Sequence, residues 1–234
     1  MKSNAPYLIF IMSILKPPHN RVSNGLLSIW HGVEAGFESS LDAWYDREHH
    51  FERLAVPGFL RARRYLHLDN GSRYLSRYDV LEPSVLGAKA YLSALNHPSD
   101  WTRESMLHYR NTTRSVFRFV AESGMADGGA LITLRIIKDE TDIFQRLDQV
   151  SLDFIVKQQG VLRIELWSLD DAISNLKSEE KNLRKAADST VGHTVFIEGT
   201  DIDLLKEATQ KYILPLMDCE PVIDRFRLVF DAQN

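Results

Sequence analysis

Residues 41–80 read LDAWYDREHHFERLAVPGFLRARRYLHLDNGSRYLSRYDV, and the order of elements in this stretch decides the fold. Leu41, Trp44, Glu48, Phe51 and Ala55 fall at helical spacing behind Ser39 and Ser40, which with Asp42 offer an N-terminal cap. Val56-Pro57-Gly58 stops that helix, because proline and glycine both break it. Phe59 to Leu68 and Arg73 to Val80 then read as two strands joined by Asp69-Asn70-Gly71, a hairpin turn. Working outward, Leu26 to Val33 alternates as a strand before the helix. Pro83 opens a second helix through Tyr91, Leu92 and Leu95 that ends before Pro98, and Arg114 to Val120 is a fourth strand. The order is β-α-β-β-α-β, the ferredoxin-like arrangement.

The order recurs. Ala130 to Ile137, Val161 to Ser168, His193 to Ile197 and Val222 to Phe230 read as strands, with helices over Asp142 to Gln158 and Ile202 to Ile213. Glu122 to Gly129 is the linker. Residues 25–122 and 130–231 are therefore two tandem copies, the second carrying a charged insertion at 170–189 that reads as a solvated helix or loop without binding function. A ferredoxin-like sheet has helices on one face, so the other must be buried. Two copies packed face to face make an α+β barrel within one chain, with a homodimer of such chains as the alternative.

Composition limits the chemistry. The chain has 234 residues, 44% of them hydrophobic, with 28 basic and 32 acidic side chains for a net charge of -4. That is a globular chain without the basic surplus that a nucleic-acid backbone requires. The single Cys219 excludes an internal disulfide and a cysteine metal cage, and reads as structural in a reducing, cytoplasmic setting. Residues 1–24 form an N-terminal extension whose apolar run, Ala5 to Leu15, is too short to span a membrane. That run is followed by Lys16, Pro17 and Pro18 rather than a small-residue cleavage site, so a packed segment is expected ahead of an export signal. No Walker loop, dinucleotide-binding glycine fingerprint, zinc-protease motif or nucleophile elbow is present, and no metal is expected.

The first copy also carries Trp44-Tyr45-Asp46-Arg47-Glu48-His49-His50, then Val56-Pro57-Gly58-Phe59, then Ala62-Arg63-Arg64-Tyr65, with Tyr74, Tyr78, Tyr91 and Trp101 behind them. In these motifs it resembles the dimeric α+β barrel superfamily, most nearly its EthD-like branch. The resemblance covers residues 25 to 120 by motif and 130 to 231 by architecture alone. It implies a small-molecule protein without a cofactor: relatives include cofactor-free monooxygenases of aromatic polyketides, lactone isomerases, polyketide cyclases and haem-handling proteins. A fold of this kind does not choose among them.

The two copies can be set against each other. Placing Gly58 on Gly160 puts Arg61 on Arg163 and Tyr65 on Trp167, so one arginine and the apolar framework persist. Trp44, Glu48, His49 and Arg64 meet Arg146, Val150, Ser151 and Leu166, so the polar set does not. One functional cavity, dominated by the first copy, is the expectation. His49 is the candidate acid/base, because an imidazole exchanges protons near neutral pH; a surface or packing histidine is the alternative. Arg63 and Tyr65 are the candidate partners that hold an enolate, and Arg61 and Phe59 share their strand face. His31, Trp44, Glu48, Arg61, Tyr74, Tyr78 and Trp101 are candidate substrate-binding residues, with Tyr74 and Tyr78 expected on the same cavity and His50 as the lesser twin of His49. The function expected is acid/base proton transfer on an aromatic or polyketide-like organic acid or ketone, as isomerase, cyclase, lyase or oxygenase. A haem or aromatic-ligand binder without catalysis, and a solid barrel with a structural role, are the rivals.

Overall fold

A computed structural model describes residues 22–70, 73–136, 143–184 and 186–234. The apolar run at 5–15, the hairpin residue Gly71 and the start of the helix expected at 142 lie outside them. The first half runs β1 (Gly25–Val33), α1 (Glu38–Leu54), β2 (Phe59–His67), β3 (Arg73–Val80), a 3-10 turn (Pro83–Gly87), α2 (Lys89–Asn96), α3 (Asp100–Leu107) and β4 (Tyr109–Gly124). The second runs β5 (Ala130–Ile136), α4 (Ile143–Arg146), α5 (Gln149–Ile155), β6 (Val161–Leu169), α6 (Asp171–Ser174), α7 (Glu179–Asn182), β7 (His193–Gly199), α8 (Ile202–Ala208, continued as a π turn to Ile213) and β8 (Val222–Gln233). Among the described residues no helix is long and apolar enough to cross a membrane.

The eight strands close into one antiparallel barrel in the order β1-β3-β2-β8-β5-β7-β6-β4. Each half contributes a ferredoxin-like four-strand sheet, and two seams join them. At one seam β2 pairs with β8, from Arg61↔Gln233 to His67↔Phe226. At the other β4 pairs with β6, from Phe117↔Leu169 to Gly124↔Arg163. The second seam explains why β4 runs from Tyr109 to Gly124 rather than only over 114–120: its far end is held by the other half. Closure removes the sheet edges that an isolated half would leave unpaired.

Alternation sorts the side chains into two layers. Leu26, Trp30, Tyr65, Leu75 and Phe117 of the first half meet Leu131, Trp167, Phe196 and Phe226 of the second inside the barrel, each at most 2% exposed. Outside the sheet, each half has its own core beneath its helices. Cys219 packs half-buried against the second of these cores.

Three details depart from the sequence reading. Pro83 opens the 3-10 turn, and α2 begins at Lys89. The segment after α2 is the separate helix α3, capped by Ser99, whose hydroxyl accepts from the Thr102 amide. The insertion at 170–189 is solvated on one side only. Ser174, Ser178, Glu180 and Arg184 are buried, Ile173 and Leu183 pack on the first-half cores, and Ser189 pairs with Thr112 and Arg114 of β4. Its charges read as a solvent face in one dimension because the contact that buries them is remote in sequence, the pair of Glu180 with Arg53 in α1.

Candidate functional site

The first helix is where local geometry makes the site. Helix α1 starts at Glu38 after Phe37, without a side-chain cap from Ser39, and the Glu38 carboxylate accepts from the Gly36 amide at 2.8 Å. An α segment, Glu38–Trp44, passes into a π turn at Tyr45–His49 and returns to α over His50–Leu54. A π turn takes up one extra residue and advances the buried stripe by one position. The expected stripe therefore holds for Leu41 and Trp44 and then fails. Glu48 is half-buried, Phe51 is 50% exposed and Ala55 faces solvent, while Tyr45, His49, His50, Arg53 and Leu54 turn inward.

The inward residues meet the outer face of β1, β3 and β4. His31 Nδ1 lies 3.2 Å from the Gly32 carbonyl and so acts as donor, which leaves Nε2 to accept from the Tyr45 hydroxyl at 3.3 Å. Tyr45 in turn is in short contact with the Tyr109 hydroxyl, giving a chain Tyr109–Tyr45–His31. The His31 ring stacks on Tyr109 at 4.1 Å and on Tyr74 at 5.5 Å. His50 Nδ1 is 3.1 Å from the Tyr78 hydroxyl, its ring stacks on Phe230 of β8 at 4.3 Å, and its Nε2 has no hydrogen-bond partner. His49 lies 4.1 Å from the Trp44 ring; its Nδ1 is also unpartnered, with Glu52 Oε2 at 3.7 Å, beyond hydrogen-bond reach.

Burial dominates the electrostatics. It pushes His31 down to about 3 and His49 and His50 well below the usual imidazole range, so all three rings are neutral at neutral pH. Nearby guanidinium groups add to this: Arg184 and Arg64 for His31, Arg53 for His49, Arg64 for His50. Burial also raises the Tyr45, Tyr78 and Tyr109 phenols, and Tyr74 to about 12. Arg64 holds Asp42 at 2.6 Å and Asp46 at 3.0 Å while lying over the Tyr45 and Tyr74 rings.

A cavity borders this layer on the side of Glu52 and Arg53. It measures about 260 Å³ and is lined by Glu52, Arg53, Ala94, His97, Pro98 and Thr102. Thr102 accepts from Trp44 Nε1 at 3.2 Å, and Glu48 accepts from Ser99 at 2.5 Å and from Thr102 at 3.5 Å. Burial raises the Glu52 carboxyl as well.

The expected site residues are thus divided by the sheet. His31, Trp44, His49, Tyr74 and Tyr78 lie together beneath α1, with Glu48 joined to Trp44 through Thr102 and Trp101 packed half-buried against the same cluster. Arg61, Arg63 and Tyr65 face the barrel interior: Arg63 bonds Glu198 and Asp79, and the Tyr65 hydroxyl is buried without a partner. Tyr74 and Tyr78 therefore do not share a cavity with Arg63 and Tyr65, since partners in register across β2 and β3 are Arg63 with Arg77 and Ala62 with Tyr78. Phe59 also leaves the arginine face. A bulge between Phe59 and Arg61 reverses its side, and it packs on Tyr78 and Tyr91 under the helices. Tyr45, Tyr109, Glu52, Arg53 and the insertion's Glu180 and Arg184 escaped the sequence reading; only Glu52, one helical turn beyond His49, left a local signal. Among the described residues no group of three or more His, Cys, Asp or Glu is placed to hold a metal ion.

The register of the two halves can now be fixed by their ladders. The bulge Phe59↔Val80, Arg61↔Asp79 is repeated as Val161↔Gly199, Arg163↔Glu198, and Gly58 and Gly160 precede it with φ of +94° and +82°. Carried through the pairings, Tyr78 corresponds to Ile197 and His31 to Ile136. The same offset in the helix sets Tyr45, His50 and Arg53 on Leu147, Leu152 and Ile155. At these positions the first half places imidazoles, phenols and a guanidinium where the second has buried aliphatic side chains; Tyr74 differs, because its counterpart is His193, buried with neither ring nitrogen paired.

No family model matches the chain, and no curated protein matches it. Solved structures match its fold. An anthrone oxidase-like protein superposes with a TM-score of 0.63 at 7% identity over 92% of this chain and 94% of its own. A candidate monooxygenase from Fusobacterium nucleatum subsp. nucleatum gives 0.54 at 9% over 91% and 96%. A candidate chlorite dismutase gives 0.51 at 13% over 88% and 96%. The chain shares the closed α+β barrel fold of these proteins.

Proposed function

From this α+β barrel fold, nearest by its Trp44–His49 and Val56–Phe59 motifs to the EthD-like branch, we propose a cofactor-independent small-molecule enzyme. Its reaction is acid/base proton transfer on an aromatic or polyketide-like organic acid or ketone. One observation carries the reading: on a single scaffold used twice, the first half has His31, Tyr45, His50, Arg53 and Tyr78 where the second keeps Ile136, Leu147, Leu152, Ile155 and Ile197. Buried polar groups in place of aliphatic ones lower stability unless each is satisfied, and His49 Nδ1 and His50 Nε2 have no partner.

His49 is the base in this reading. Neutral and buried behind Glu52 and Arg53, which line the cavity, it takes a proton from an acidic C–H or phenol that reaches past them, and the new imidazolium finds Glu52 3.7 Å away. The anion left on the substrate is favoured by the guanidinium groups that disfavour imidazolium, Arg53 first. The Tyr109–Tyr45–His31 chain holds a second exchangeable proton. Whether proton removal leads on to isomerisation, cyclisation, elimination or oxygenation is a matter for the substrate.

Deuterium exchange at the acidic carbon of anthrone, followed by NMR, tests the proton step alone. The protein should accelerate exchange, and His49→Gln should lower that acceleration by about 10²-fold or more. Exchange that is untouched by the substitution sinks the reading. The rival, a non-catalytic haem or aromatic-ligand carrier, is favoured by the same free nitrogens, with His49 or His50 as the ligating group. A haem titration that develops a Soret shift while exchange stays at the solvent rate supports the rival.

A further inference from the structure

On the other side of the sheet, the barrel opens at one end into a cavity of about 540 Å³. Its basic wall is formed by Arg61 and Arg63 of β2, Arg77 of β3, which is paired with Asp79 and Glu165, and Arg163 of β6, and its apolar lining by Val22, Leu60 and Met125. Arg61 and Arg163 are counterparts in the two halves, so the closed barrel brings the same guanidinium from each copy to one mouth. Between them sits Asp127, from the linker that joins the halves. Its Oδ2 accepts from Arg61 Nη1 at 2.5 Å, its Oδ1 accepts from Arg163 Nη1 at 2.8 Å, and Arg63 Nη1 lies 3.9 Å away.

A carboxylate held by one Nη of each of two guanidinium groups, with a third behind, is an oxyanion site already filled by the chain itself; the Nε and Nη2 of Arg61 are held by Asp231 and keep that guanidinium in place. Two features show that Asp127 does not exhaust it. Arg63 is 2% exposed, and the Nε of both Arg63 and Arg163 are buried without an acceptor, although both side chains line the cavity. Asp127 itself is 35% exposed, on a segment bounded by Gly124 and Gly128, and so can be displaced without opening the barrel. The remaining wall limits the charge of a ligand: Asp79, Glu122 and Glu165 also line the cavity, so a second negative charge would meet carboxylates. The apolar lining matches a hydrocarbon body.

We propose that the mouth of the barrel binds a small organic monocarboxylate, whose carboxylate takes the place of Asp127 between Arg61 and Arg163. The site is separate from the histidine layer and stands or falls independently of it.

The probe is 4-fluorobenzoate, followed by fluorine NMR line broadening, with 4-fluorobenzyl alcohol as the uncharged control. Asp127→Asn removes the internal carboxylate and should tighten 4-fluorobenzoate binding about tenfold over the unaltered chain. Adding Arg163→Gln to that variant should abolish the gain, and the alcohol should not bind in either. No tightening in Asp127→Asn, or binding that survives Arg163→Gln, overturns the proposal. Thermal melts check that each variant is folded, and Asp127→Ser gives the same comparison should the asparagine variant misfold. Proton exchange on anthrone is read separately with the His49→Gln variant, so failure of either idea is distinguishable from failure of the other.

Discussion

His31, His49 and His50 occupy positions where an imidazolium is unfavourable, and this makes the fold acid-sensitive. Their folded pKa values lie below the unfolded value near 6.5, so as the pH falls the unfolded chain takes up protons first. The stabilisation from keeping the rings neutral is complete above about pH 6.5. It is lost as the pH drops toward the folded values, about 3 for His31. Each ring contributes a slope of about 1.4 kcal/mol per pH unit in that window. Urea unfolding at pH 7, 5.5 and 4.5 should therefore show a steep decline. His50→Leu, which installs the residue of the second half's Leu152, should lower the slope by one proton. An unchanged slope in that variant would mean that His50 is not buried neutral. Of this residue-scale picture the sequence disclosed His49, Trp44 and the inequality of the halves, since those rest on identity and spacing. It did not disclose Tyr45, Tyr109 or Arg53, whose roles depend on contacts across the layer.

At the scale of elements, the π turn at Tyr45–His49 carries the site. Adding an alanine beside Arg47, an exposed residue within it, gives the helix a residue that the turn does not absorb and should rotate His49 and His50 by about 100° toward solvent, whereas deleting Arg47 should restore a regular α-helix with His49 still on the inward stripe. The expected outcome is fast carbethoxylation of both histidines by diethyl pyrocarbonate in the lengthened helix, with His193 of the second half unchanged as the internal reference. Equal rates with and without the added alanine would refute this role for the turn. The insertion is the second decisive element. Glu180→Gln leaves Arg53 charged, 3% exposed and without its partner, a loss of about 3–5 kcal/mol for a buried pair broken on one side. Hydrogen exchange should quicken under α1 and α7 and not under α5, which the insertion does not cover. Neither element was legible in the sequence. A π turn has no signature in a period-3.6 pattern, and a charged segment looks the same whether its counter-ions are water or a distant arginine.

For the whole molecule, the closed ladder predicts one folding body rather than two. The seams β2·β8 and β4·β6 each bury strand edges, and the barrel interior is shared by Trp30, Phe117, Trp167 and Phe196 from both halves. Calorimetric and van't Hoff enthalpies of unfolding should agree, and chains cut in the linker near Gly128 should fold only when mixed. Two separable thermal transitions would contradict a shared core. The same closure unites Arg61 and Arg163 at one mouth and parts Arg63 from His49 by the thickness of the sheet.

The sequence by itself determined the order and number of strands, the repeat and the α+β barrel, because periods of 2 and 3.6 and the turn residues between them are local properties of the chain. It also determined that the halves are unequal. Only the tertiary structure decided which face of each strand lines the barrel, since β1 and β3 are buried on both sides and alternation alone does not tell inside from outside. It likewise decided that the histidines turn inward and that the insertion covers them. Those outcomes depend on what each surface meets, and the partners are set by the closure of the sheet rather than by neighbours in the chain.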